Sequence, residues 1–160
     1  MKMITKKILF ILLISTLIYS CGFTPTLKTS NNDQSSNNIY YEINAGSYLT
    51  KQVVRTSIKN INKDEAAYSA NIQINEFESA VNIDSNGSVL EYRVEVKIDY
   101  SISSIQSGDL IYKSQSRGFA NYDVSKSEYT NTLVKNEAVK TATLEAAQLM
   151  NIMVQSKVGE

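Results

Sequence analysis

Three observations predict one α+β domain, a two-layer sandwich of order β-α-β-β-β-α with two helices packed on one face of a four-stranded sheet. Residues 90–102 alternate apolar and polar side chains without a break. Two other segments, one short and one long, repeat apolar residues every three or four positions, as helices with one buried side do. Glycine-bearing turns separate the segments between them. The length of 160 residues fits a single core, large enough not to need disulfides or a structural metal.

The first twenty residues read as an address. Lys2, Lys6 and Lys7 precede an apolar run, 8–19, broken only by Ser15 and Thr16. Twelve residues fall short of the roughly 20 that a membrane-spanning helix needs, so residues 1–20 are expected to be a cleaved export signal. The run closes on Leu17-Ile18-Tyr19-Ser20-Cys21. This resembles the lipobox of bacterial lipoproteins, with Tyr19 where that motif has a small residue. Cys21, the only cysteine, would then become the lipidated N-terminus. Gly22, rather than Asp, resembles the sorting signal for the outer membrane. Residues 21–38, polar and carrying the only proline, Pro25, read as a lipidated tether. Without residues 1–20, 13 basic residues face 16 acidic ones, a mildly acidic balance that argues against a nucleic-acid binder.

The domain proper is expected over 39–154, with a tail at 155–160. A strand is predicted over 38–44 from its Ile and Tyr content, broken by Ala45-Gly46-Ser47, where Ser47 can cap a helix. Leu49, Val53, Val54, Ile58 and Ile61 give that helix an apolar side about four turns long. Residues 68–84 alternate, but Ala70, Ile72 and Ile74 have one parity and Phe77, Val81 and Ile83 the other. A β-bulge near Glu76 would reconcile them. Asn86-Gly87 predicts a hairpin of type I′. The next strand puts Leu90, Tyr92, Val94, Val96, Ile98, Tyr100 and Ile102 on one face and Glu91, Arg93, Glu95, Lys97 and Asp99 on the other. It would span about 44 Å, against the usual 17–20 Å, and so reach beyond the helices that cover it. Gly108-Asp109 marks another turn, and a fourth strand runs from Leu110 toward Phe119. From Ser127, Val134, Ala138, Ala142, Ala146, Leu149 and Met153 outline a long helix whose alanines permit close approach to the sheet.

Little in the sequence suggests catalysis. Histidine is absent, which removes Ser-His-Asp and Cys-His nucleophile systems and HExxH metal sites, and one cysteine cannot build a zinc site. Glu76 and Glu78 share a strand face, as a pair of glycosidase acids would need, but no aromatic or polar cleft surrounds them. No cofactor or metal is expected. The alternating charges of the polar strand face fit a solvated surface with diagonal ion pairs. The alternative is that the face or an uncovered edge receives a partner, with Arg93, Lys97, Lys113 and Arg117 available to an anion.

Taken together, Cys21-Gly22-Phe23, the Asn86-Gly87 hairpin leading into Glu91-Tyr92-Arg93-Val94, the stretch from Arg117 to Tyr122 and a closing helix with Glu137-Ala138, Ala142, Ala146 and Leu149 resemble the LPS-assembly lipoprotein family, LptE. The resemblance covers nearly all of residues 21–154. It implies a non-catalytic plug of an outer-membrane barrel, LptD, in a Gram-negative envelope, and contact with lipopolysaccharide. Members of that family carry a basic residue before the Asn-Gly turn, where this chain has Ser85. Arg93, Lys97, Arg117 and Lys126 are the cations left for the glycolipid. A lipid-anchored binding or scaffold subunit of another envelope machine is the other reading that these features allow.

Overall fold

The computed structural model describes residues 38–158, and Cys21, the signal segment and most of the tether lie outside them. Strand β1, Ile39–Ala45, leads into helix α1, Tyr48–Ser57. A single 3-10 turn, Lys63–Glu65, follows. Then come β2, Tyr68–Ile83; β3, Val89–Ser104; β4, Leu110–Asp123; and helix α2, Glu128–Val158. The strands lie in sequence order, with β1 parallel to β2 and both later pairs antiparallel. This is the α+β order expected from the sequence.

The core forms because each strand turns one parity toward the helices. Ile39, Tyr41 and Ile43 of β1 join Ala70, Ile72 and Ile74 of β2 and the even residues Val94 to Ile102 of β3 in one buried cluster. Val54 and Ile58 close it from the α1 side, and Ala138, Val139, Ala142, Ala146, Ala147, Met150 and Val154 close it from α2. Gly118 of β4 shows how tightly α2 is seated. A Cβ there would stand 2.0 Å from the backbone oxygen of Ala142 and 2.8 Å from the backbone nitrogen of Ala146. The hydroxyl of Ser116, one row away on the same face, donates to the Ala146 carbonyl at 2.8 Å. Small residues on both partners let helix backbone meet strand backbone.

Several elements depart from the sequence reading. Helix α1 is ten residues, just under three turns rather than about four. The chain turns extended at Ile58, which keeps its side chain in the core, and Asn60 is drawn to the outer edge of β1. There its amide oxygen accepts from the Tyr41 backbone N–H at 2.8 Å and its amide nitrogen donates to the Tyr41 carbonyl at 3.1 Å. One side chain thus occupies both outward groups of an edge-strand residue, as a neighbouring strand would. Asn60→Ala is expected to cost about 1–2 kcal/mol in urea denaturation, since two backbone groups lose their partner.

No bulge occurs near Glu76. Pairing with β3 is regular from Tyr68 to Ala80 and becomes irregular only between Ala80 and Ile83. The change of parity has another cause: Phe77, Val81 and Ile83 lie on the outside, 53%, 40% and 57% exposed. The hairpin is not of type I′ either, because Asn86 keeps negative φ and only Gly87, at +83°, is left-handed. Asp84 decides the turn. Its carboxylate accepts from the N–H groups of Asn86 and Ser88, each at 2.8 Å, and its carbonyl accepts from Gly87 at 3.1 Å. Asp at the first position with Gly at the fourth is the pattern of a type I turn.

Helix α2 begins where Ser127 accepts from the Thr130 N–H at 3.3 Å and runs past residue 154 to Val158. Ala138, Ala142 and Ala146 are buried as expected, and the buried side departs from the expected one only beyond them. Met150 and Val154 are inside, whereas Leu149 and Met153 are 46% and 40% exposed.

Candidate functional site

The long strands run past the fully buried core, and beyond it the first turns of α2 still reach the sheet, as the Lys135–Glu78 pair shows. Full burial stops at Ile74 on β2, Val94 on β3 and Gly118 on β4, and Leu90, expected in the core, is 45% exposed. The far end of the sheet is therefore only loosely covered, and it holds most of the features with functional potential.

On its helix side, Glu78, Tyr122 and Lys135 meet. The Lys135 amine lies 2.8 Å from one Glu78 carboxylate oxygen, and the Tyr122 hydroxyl donates to the other. Tyr122 stacks on Tyr92 with ring centroids 5.6 Å apart. Partial burial by itself would raise the Glu78 pKa, but the hydrogen bonds from Lys135 and Tyr122 and the lysine's charge outweigh it and hold the carboxyl below the usual value of 4.5. Tyr122 moves upward, through burial and then through the neighbouring carboxylate. Neither shift equips a general acid or base for work near neutral pH; the cluster ties α2 to the end of the sheet.

A depressed carboxyl pKa contributes stability above its unfolded value, and that contribution is lost as pH falls through the folded value. Wild type is thus expected to lose up to about 1 kcal/mol relative to Glu78→Gln as pH falls from above the usual 4.5 toward the lowered folded value. The size is bounded by side chains still 30% and 40% exposed. Urea midpoints of the two proteins measured across that range check it; parallel curves would remove the cluster as a stabilising element.

The opposite, solvent-facing side carries the predicted cations. Arg93 and Lys97 project from β3, and Arg117 of β4 is the register partner of Lys97. The structure brings these three together but engages each. Lys97 pairs with Asp99 at 3.0 Å and Arg117 with Glu95 at 3.3 Å. The Arg93 Nε donates to the Asn121 amide oxygen at 3.2 Å, and the Asn121 amide donates to Glu91 at 2.8 Å. Lys126 is apart from them, exposed in the connection between β4 and α2.

Sequence reasoning missed what stands among these charges. Phe77 and Phe119 are 53% and 46% exposed and flank Glu95 in one row, Phe77 on β2 and Phe119 on β4. The parity change in β2 was the signal, since an apolar residue out of phase in a regular strand is an exposed one. Among the described residues no group of three or more Cys, Asp or Glu is placed to hold a metal, and no helix is long and apolar enough to cross a membrane.

By sequence the chain matches no family model and no curated protein. By structure it matches well. A candidate lipoprotein of Caulobacter crescentus CB15 superposes with a TM-score of 0.63 at 16% identity, covering 78% of this chain and 93% of that one. Rare lipoprotein B of Shewanella oneidensis gives 0.56 at 15%, covering 77% and 98%. Lipoprotein B of Nitrosomonas europaea gives 0.58 at 14%, covering 78% and 88%. The fold is one that bacterial lipoproteins share. Nearly their whole length is spanned, so what is similar is the complete domain and not a common hairpin.

Proposed function

We propose that this chain is an outer-membrane lipoprotein, anchored through acyl chains on Cys21, that plugs and helps assemble an LptD-type β-barrel and takes part in carrying lipopolysaccharide to the outer leaflet. The observation that carries the reading is the coincidence of a lipobox-like Cys21 with a fold matching lipoproteins over 88–98% of their length. A plug must be rigid and wet on its surface. The charge-paired sheet face and the helix seated at Gly118 suit a barrel lumen, whose lining is polar. The role is stoichiometric and non-catalytic. In this reading Arg93, Lys97 and Arg117 meet glycolipid phosphates by exchanging their present partners, at little cost because exposed ion pairs contribute about 0–1 kcal/mol. Lys126 supplies a further cation.

Affinity purification of the full-length lipidated protein from detergent-solubilised outer membranes, with a high-salt wash and mass spectrometry, tests the proposal. One large β-barrel at near-equal stoichiometry supports it. Recovery alone, or with soluble periplasmic proteins only, overturns the plug. The internal pairing of the three cations, together with Ser85 before the turn, favours a second reading: a lipid-anchored scaffold subunit of another envelope machine. Absence of binding to a phosphorylated glycolipid, with a different protein partner retained, would select it.

A further inference from the structure

The sheet has three stretches of outward-facing backbone, and on two of them a side chain engages one residue of the edge. Asn60 occupies both outward groups of Tyr41 on β1. On β4 the Phe119 N–H donates to the Glu145 carboxylate at 2.8 Å, and α2 lies directly against Gly118. The third stretch is β2 beyond Ile74. There β1 has ended, its last residue Ala45 pairing with Ile74, while β2 continues to Ile83 with β3 on one side and no strand on the other among the described residues.

The ladder settles which groups point outward. The Ala67 carbonyl accepts from Ile105, beyond the end of β3, whereas the Tyr68 N–H turns the other way, to Asn38. Alternation along an antiparallel pair then directs the N–H and C=O of Glu76, Glu78 and Ala80 away from β3. All three residues are exposed. Where the stretch begins, a recess of about 440 Å³ lies between β2 and the start of α1, lined by Ser47, Thr50, Asn75, Glu76 and Phe77 among others. A strand entering there would continue the line of β1. Long uncovered edges with apolar neighbours are a liability that proteins normally interrupt, as this one does at Tyr41 of β1 and Phe119 of β4.

We propose that the β2 edge from Asn75 to Ala80 receives an extended segment of a partner protein, alternating apolar and basic residues, which adds as a strand in line with β1. Its apolar side would lie beside Phe77 and Val81, and its basic side beside Glu76 and Glu78. Glu78 already holds one amine, that of Lys135. A second copy of this chain fits worse, since joining two β2 edges sets Glu76 and Glu78 against carboxylates of the same kind. The inference rests on the fold alone and does not depend on the partner being a barrel.

The test uses the full-length lipidated protein in detergent and three fluorescent heptapeptides: one alternating Lys and Val, its twin with alternate backbone nitrogens methylated, and its twin with Glu for Lys. The Lys/Val peptide is expected to bind at least tenfold more tightly than either twin and to slow hydrogen exchange at Glu76, Glu78 and Ala80. Ala80→Pro removes an outward N–H while sparing the bonds to β3, and should weaken binding at least tenfold with the circular dichroism unchanged. Phe77→Ser, a second variant, should also weaken it. Equal binding of the methylated twin, no binding of the Lys/Val peptide, protection at β4 in place of β2, or self-association abolished by Ala80→Pro would each overturn the proposal.

Discussion

Gly118→Ala is expected to destabilise the domain by about 3 kcal/mol, a large share of the roughly 5–15 kcal/mol that holds a domain of this size together. The new methyl carbon would sit 2.0 Å from the Ala142 carbonyl oxygen and 2.9 Å from its carbon, and both belong to the backbone of α2. A side chain can rotate away from an intruder, but a helix backbone moves only as a unit. Retreat of α2 would stretch the Ser116–Ala146 and Phe119–Glu145 hydrogen bonds and open the core beside Ala142 and Ala146, which are fully buried. Gly46→Ala is the control, because a Cβ there meets nothing within 4 Å. Urea denaturation should show a much lower midpoint for the first variant and little change for the second. A Gly118→Ala midpoint equal to that of wild type would mean that α2 is not seated on β4 in this way.

That contact explains which parts of the fold could be read from the sequence. Strand β3 was fully legible from Tyr92 to Ile102, because one face meets helices, the other meets water, and period two follows directly. Helix α2 was legible as a helix and in the inward placing of Ala138, Ala142 and Ala146, but not beyond Ala146, where Met150 and Val154 are buried in place of Leu149 and Met153. The alanines were expected to permit close approach, and the contact at Gly118 is where they do, with Ala142 and Ala146 facing in while Leu149 stays 46% exposed. The bulge expected in β2 came from assigning Phe77, Val81 and Ile83 to a core they do not enter. Residues that act at long range left no local signal. Asn60 reaches Tyr41 across 19 positions and Glu78 reaches Lys135 across 57. Of the candidate site, the sequence identified the cations and their face. It did not show that Arg93, Lys97 and Arg117 would be engaged by neighbours, nor that β2 would continue beyond the end of β1.

The second large effect is expected at Cys21. Expressed behind a signal peptide whose cleavage does not require the cysteine, Cys21→Ala should leave the outer-membrane fraction almost completely and appear in the periplasm. Each acyl chain contributes about 0.8 kcal/mol per buried CH₂, so the lipidated protein is held essentially permanently and the unlipidated one has no comparable hold. Folding should be untouched. Among the described residues the buried core is complete between Ile39 and Val154, and Cys21 lies seventeen positions before Asn38. Fractionation on a density gradient measures the first expectation; circular dichroism and the urea midpoint of the released protein measure the second. Retention of Cys21→Ala in the outer membrane would show that something other than acyl chains holds the protein there, a barrel partner foremost. Loss of the fold would show that residues before Asn38 contribute to the core. The two failures differ in kind, which makes this variant informative alongside the purification: the first refutes the anchor and strengthens the plug, the second refutes the separation of anchor from domain.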